Sequence, residues 1–249
     1  MTEIVKTEFL KLKRYFILWI GAALMLLTVL MTLFTSLAED GLVWDFQVLQ
    51  EQVIKNFVTL IFPMCITLLT GYIIARESAD DTLKNIVTIP VSYQKLVTGK
   101  LIVSAFLSLL LGLVCYLFTV IANFAMGYSG FSLPAAFRTA LQFLFLALFL
   151  YISVLPVIVL TSRVQNAFLA GVILSLVYGF LSMFTGSGVI GSLYPVSAAL
   201  GLIRYRSYDP GVSWNTALCA LSISMMLAFG ILMIPRSMRP VKKERRRRP

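Results

Sequence analysis

Long apolar runs without a charged residue dominate the chain. Positions 15–38, 56–75, 139–162 and 210–235 contain no Asp, Glu, Lys or Arg. A helix crossing the hydrocarbon core of a bilayer needs about 20 residues, so each run predicts one membrane span. The run 101–137 predicts a span to about residue 126, then an outer turn marked by Gly127, Gly130 and Pro134. The run 164–203 has the length for two spans, but Gly186, Gly188, Gly191 and Pro195 break its second half.

Charge placement decides between six and seven spans. With both termini inside, six spans put 17 of the 21 Lys/Arg on the cytoplasmic side, leaving Lys55, Arg138, Arg204 and Arg206 outside. A seventh span would carry the eight-charge segment 236–249 across the membrane, against the positive-inside rule. The predicted architecture is all-α and integral to the membrane, with spans at about 15–36, 56–76, 101–126, 139–162, 167–185 and 214–235. The leftover apolar piece 189–203 is expected on the outer side as a re-entrant element sheltered by protein. The first apolar run is too long for a signal-peptide core and has no clear cleavage site, so it reads as a retained span.

The flanks carry their own patterns. Val5, Phe9, Leu12 and Phe16 recur at helical spacing, with Lys6, Lys11, Lys13 and Arg14 on the other face. This predicts an amphipathic helix over 2–14 lying in the inner interface. Residues 37–55 mix Trp44, Phe46, Leu49 and Val53 with Glu39, Asp40, Asp45 and Glu51. They are expected as an acidic interfacial segment outside, either drawing in cationic peptides or simply solvated. Between spans two and three, Ser78-x-x-Asp81 has capping-box form, with Asp in place of Glu or Gln. It predicts a short helix over 79–87 that ends before Pro90, with Ser92 capping the third span near Tyr93.

Composition confirms the class and removes most chemistry. Hydrophobic residues make up 59% against 13% charged, half the charge a soluble surface carries, which excludes disorder and a nucleic-acid-binding domain. The net charge of +10 is largely a tail: without residues 236–249, 13 basic face 10 acidic residues. That tail reads as an anchor beside anionic lipid headgroups. Cys65, Cys115 and Cys219 each lie in an apolar run with no metal-site spacing, and there is no histidine. Zinc sites and Ser-His or Cys-His nucleophile systems are therefore not expected. No phosphate-binding G-x-x-x-x-G-K-[ST] occurs; before Gly99-Lys100 the first glycine is replaced by Gln94. The chain is expected not to be an enzyme, with no cofactor or metal of its own. The spans lack ionisable residues in their middles, which argues against proton coupling.

Two polar stripes remain. Span two carries Thr59, Pro63, Thr67 and Thr70, and span five carries Gly171, Ser175, Gly179 and Ser182 with Tyr178 beside them. Small and hydroxyl residues either let helices pack closely or line a transport path, and the pattern leaves both open. Span three repeats the pattern with Ser104, Ser108, Gly112 and Cys115.

The order of parts resembles the six-helix permease subunits of type-2 ABC exporters. The likeness rests on Lys6-Thr7-Glu8-Phe9-Leu10-Lys11-Leu12-Lys13-Arg14 before span one, and on Gly71-Tyr72-Ile73-Ile74-Ala75-Arg76-Glu77 after span two. It continues through Asp81-Thr82-Leu83-Lys84-Asn85, Thr88-Ile89-Pro90-Val91-Ser92 and Lys95. Lantibiotic-immunity and bacitracin-resistance permeases of Gram-positive bacteria are the nearest in kind. The resemblance implies an elbow helix (Glu8, Lys11, Arg14) and a coupling helix (Glu77, Asp80, Asp81, Thr82, Leu83, Lys84, Asn85) that dock onto a dimer of ATPase subunits. It implies ATP and Mg in that partner, a second permease copy, and a peptide or lipid-linked substrate. It places Thr59, Thr67, Thr70, Ser175, Tyr178 and Ser182 on the candidate path, in a bacterial cell membrane. A secondary carrier or channel, and a non-transporting scaffold, stay open as other classes.

Overall fold

A computed structural model of the chain describes residues 2–12, 16–38, 43–79, 93–162, 167–185, 188–206 and 212–234. Every regular element among them is helical. In chain order they are α1 (Thr2–Leu12), α2 (Ile17–Ser36), α3 (Phe46–Asn56), a π-helical turn (Phe57–Ile61), α4 (Phe62–Ala79), α5 (Tyr93–Met126) and α6 (Leu133–Thr161). Then come α7 (Phe168–Leu181) with a short 3-10 turn, α8 (Val189–Leu193), α9 (Pro195–Leu202) and α10 (Thr216–Leu232). Among the described residues, four stretches are long and apolar enough to cross a membrane: Ile17–Ser36, Phe46–Ala75, Gln94–Met126 and Leu133–Thr161. Two shorter apolar helices, Leu169–Phe184 and Thr216–Leu232, stand where spans five and six are predicted.

The middle of the bundle is built from α4 and α6. Phe57, Phe62 and Phe143 are fully buried there; the Phe57 and Phe62 rings stack at 4.4 Å and Phe143 meets Phe57 edge-on at 5.8 Å. By contrast α2 turns Trp19, Leu26, Leu30 and Phe34 outward, as an apolar helix does when lipid is its solvent. Gly112 lets α5 cross α6 closely, since a methyl group there would lie 2.7 Å from the Phe143 carbonyl oxygen.

Three expectations change. First, residues 46–56 are not an interfacial segment but a helix running straight into span two. Asp45 caps it by accepting the Val48 N–H at 2.8 Å, and Phe46, Leu49 and Val53, three and four apart, are buried. The acidic residues obscured this stripe, yet Asp45 serves the cap and Glu51 accepts from Gln47 Nε2 along the same helix. Second, α4 is still helical at Ser78 and Ala79. An N-cap residue needs extended dihedrals, so Ser78 opens no new helix. Residues 80–92, with most of the expected coupling helix, lie outside the described residues. Third, Pro134, expected in a turn, occupies the first turn of α6, where its missing N–H is an orphan in any case.

The piece 189–203 forms two short helices, α8 and α9, broken at Tyr194–Pro195. A break inside an apolar bundle exposes carbonyls that need donors. Ser222 of α10 donates to the Leu193 carbonyl at 2.7 Å and Ser153 of α6 to that of Pro195 at 3.0 Å, while Gln142 reaches that of Ile203 at 3.2 Å. The element is thus held by side chains of its two neighbours.

Candidate functional site

The first site lies where α1 meets the rest of the chain. Glu8 and Lys100 are 92 residues apart in sequence, yet Lys100 Nζ donates to Glu8 Oε2 at 2.8 Å. Both are enclosed, with exposures of 2% and 1%. Lys11 Nζ donates to the other carboxylate oxygen, Oε1, at 2.6 Å, and Lys100 also donates to the Ile73 carbonyl of α4 at 3.2 Å. Burial by itself would raise the Glu8 carboxyl. The Lys100 charge and hydrogen bond, with those of Lys11, outweigh it and hold the carboxyl below the ordinary carboxylate range.

This pair draws Glu8 inward. Phe9 and Phe16 stay exposed, while Glu8 and Leu12 are buried. The reason is the solvent: beside a bilayer, exposed aromatic rings lose nothing by facing lipid, whereas a carboxylate does and turns to the cation in the protein. Ile4 packs so closely on Gly99 that a methyl group there would lie 2.7 Å from its Cγ2. Phe9 leans on Phe106 of α5, ring centroids 5.6 Å apart. One ammonium therefore joins α1, the end of α4 and the start of α5. Those last two helices flank the segment 80–92 directly.

The second site is the seam between α4 and α7, where the two polar stripes meet. Thr67 Oγ1 and Ser175 Oγ are 2.8 Å apart, and both residues are buried. One end of the seam is closed by Gly179 against the Val58 and Thr59 carbonyls, and beyond the other Gly171 sits against Thr161 of α6. Thr59 is buried and donates to the Lys55 carbonyl. Thr70 is buried and its hydroxyl has no hydrogen-bond partner among the described residues, and the same holds for the Tyr178 hydroxyl. Ser182 donates to the Gly179 carbonyl at 2.7 Å. Of the six named residues, Thr67 and Ser175 meet across this seam, Thr59 reaches it through its carbonyl, Ser182 caps the end of α7, and Thr70 and Tyr178 lie on the same two helices.

The model of one family, ABC-2 family transporter protein, matches residues 4–182. The chain belongs to that family. A relative, the bacitracin transport permease protein BCRB of Bacillus licheniformis, is 28% identical over 130 residues, 52% of this chain and 62% of the relative. The aligned stretch thus spans less than two thirds of that protein's length. No solved structure matches.

As an ABC-2 protein with four helices long and apolar enough to cross a membrane among the described residues, the chain is a multi-pass protein of the cell membrane and a membrane subunit of an ABC transporter. The family match covers both sites and ends at Ser182, before α8, α9 and α10. Of the elbow residues, Glu8 and Lys11 form the junction just described, and Arg14 lies outside the described residues. Glu77 falls in the last turn of α4, while Asp80, Asp81, Thr82, Leu83, Lys84 and Asn85 lie outside the described residues. Lys100 was missed as a functional residue. Its signal was a charge at the very edge of an apolar run, with the acidic partner one of two glutamates, Glu3 and Glu8, on the basic helix α1.

Proposed function

We propose that this ABC-2 subunit is the permease of an ATP-driven exporter that removes a peptide antibiotic from the membrane for self-immunity or resistance. It crosses the membrane six times with both ends in the cytoplasm, pairs with a second permease copy, and docks through α1 and residues 77–85 onto separate ATPase subunits. ATP and Mg belong to those subunits. The named relative supports the class of substrate: it is a bacitracin transport permease.

The observation that carries the coupling role is the Glu8–Lys100–Ile73 junction. A transmitted displacement needs a stiff path. The elbow helix and the two helices that flank the segment 80–92 meet at one buried ammonium, so movement imposed on that segment reaches α4 and α5 together with α1. The basic cytoplasmic tail strengthens the hold on anionic lipid. A path between the two permease copies then opens alternately to either side.

Purification in mild detergent from the cells that make the protein, with intact-mass counting of what accompanies it, tests the reading. An ATPase subunit at one copy per permease supports it, and a second permease species distinguishes a heterodimer from a homodimer. The chain emerging alone, under conditions that keep other membrane complexes whole, refutes it. Loss of the gene is expected to raise sensitivity to bacitracin-like or lantibiotic peptides and to leave sensitivity to unrelated antibiotics unchanged.

A further inference from the structure

Span two changes its helical register in its middle. Five residues, Phe57–Ile61, form a π-helical turn in which the Phe62 N–H donates to the Phe57 carbonyl, five residues back. Proline follows at position 63. In an α-helix the Val58 carbonyl would take the Phe62 N–H, which is engaged with Phe57; in a π-helix it would take that of residue 63, which has none. The Thr59 carbonyl loses its α-helical donor to the same proline. Both carbonyls face Gly179 of α7: a methyl group there would lie 2.8 Å from the Thr59 oxygen and 3.3 Å from the Val58 oxygen. The helix at this point is short of backbone hydrogen bonds and rests on the one residue type without a side chain.

The bonds on either side of the turn go to different neighbours. Before it, Asn56 donates to Thr32 of α2 at 2.9 Å, Thr139 of α6 bonds to Gln50, and Tyr205 beyond α9 donates to the Glu51 carbonyl at 3.1 Å. After it, α4 is joined to α7 by Thr67 and Ser175. A weakened turn between two separately anchored pieces is where a helix bends, and π turns are among the recognised sites of kinks.

We propose that Phe57–Ile61 is a hinge: α3 swings as one piece against α4, with Gly179 as the surface over which the Val58 and Thr59 carbonyls slide. The 11 residues of α3 make a lever about 16 Å long, so a bend of roughly 20° moves its far end by about 5 Å. This does not rest on ATP coupling or on the substrate, and its test needs neither.

The test is a spin-label distance measurement on the full chain in lipid nanodiscs, with labels at the exposed positions Gln47→Cys and Phe180→Cys. The native cysteines are buried and stay unlabelled. Wild-type protein is expected to give two populations separated by about 5 Å. Deleting Leu60, half-buried among the five, removes the extra residue of the π turn and leaves both flanking faces in register; one population is expected to remain. Should that deletion fail to fold, Gly179→Ala keeps the chain length and is expected to deplete one population at least several-fold. A single narrow distance in the wild type overturns the hinge, as does an unchanged pair of populations in either folded variant.

Discussion

Glu8→Gln and Lys100→Met remove opposite halves of one ion pair, yet the structure makes them unequal. In Glu8→Gln the Lys100 ammonium stays 1% exposed and keeps the Ile73 carbonyl and an uncharged amide. Removing one partner of a buried pair costs about 3–5 kcal/mol, because the other charge is left uncompensated. In Lys100→Met the carboxylate keeps Lys11 at 2.6 Å, and Lys11 is a third exposed, so water reaches it. The loss is then nearer that of one charged hydrogen bond, about 1.5–3 kcal/mol. The double variant has no buried charge to orphan and is expected to fall close to wild type. An 11-residue helix is marginal alone, so the effect appears as α1 leaving its seat rather than as global unfolding. Amide hydrogen exchange over residues 4–12 in nanodiscs reads it directly. At about 1.4 kcal/mol per tenfold change, Glu8→Gln is expected to lower protection by roughly 100-fold or more, and Lys100→Met by roughly 10- to 100-fold. A Lys100→Met variant as exposed as Glu8→Gln, or a double variant worse than both, would refute the reasoning.

The lowered Glu8 carboxyl holds its proton less readily folded than unfolded, so its contribution is fully present above the unfolded value of about 4.3 and is lost as pH falls through the lower folded value. Protection of α1 should therefore be flat from about pH 5 upward and fall only below about pH 4. Gly112→Ala places its methyl 2.7 Å from the Phe143 carbonyl and 2.8 Å from the Ala147 methyl; overpacking there should cost about 1–3 kcal/mol and lower the thermal midpoint in detergent. Thr67→Val and Ser175→Ala each break the same hydrogen bond, and a double-mutant cycle should give a coupling of about 0.6 kcal/mol and no more than about 1.7. A coupling near zero would mean the two hydroxyls do not meet in the membrane.

Much of this protein was legible from one dimension. A bilayer admits few solutions, since it demands apolar runs of set length with every backbone group satisfied inside, so the runs fall within helices, although the helical stretches through spans two, three and four begin earlier, at Phe46, Tyr93 and Leu133. The residues of the elbow and of the end of span two also pointed to the family. Proline and asparagine at helix ends behaved locally: Asn215 caps α10 by accepting from the Ala217 N–H at 3.0 Å, a choice needing no neighbour. What escaped was whatever depends on which side of a helix faces protein. In water the apolar stripe names the buried face; beside lipid it does not, so the spacing of Val5, Phe9, Leu12 and Phe16 said nothing of Glu8, which is buried against Lys100. The pairing of Glu8 with Lys100, of Thr67 with Ser175, and of Ser153 and Ser222 with the carbonyls at the α8–α9 break joins residues dozens of positions apart. Each is a polar group reaching a partner on another helix of an apolar bundle, and that reach is a property of the packed helices alone. The π turn is of the same kind. Pro63 announces a missing donor, but only the seat provided by Gly179 shows where the freed carbonyls go.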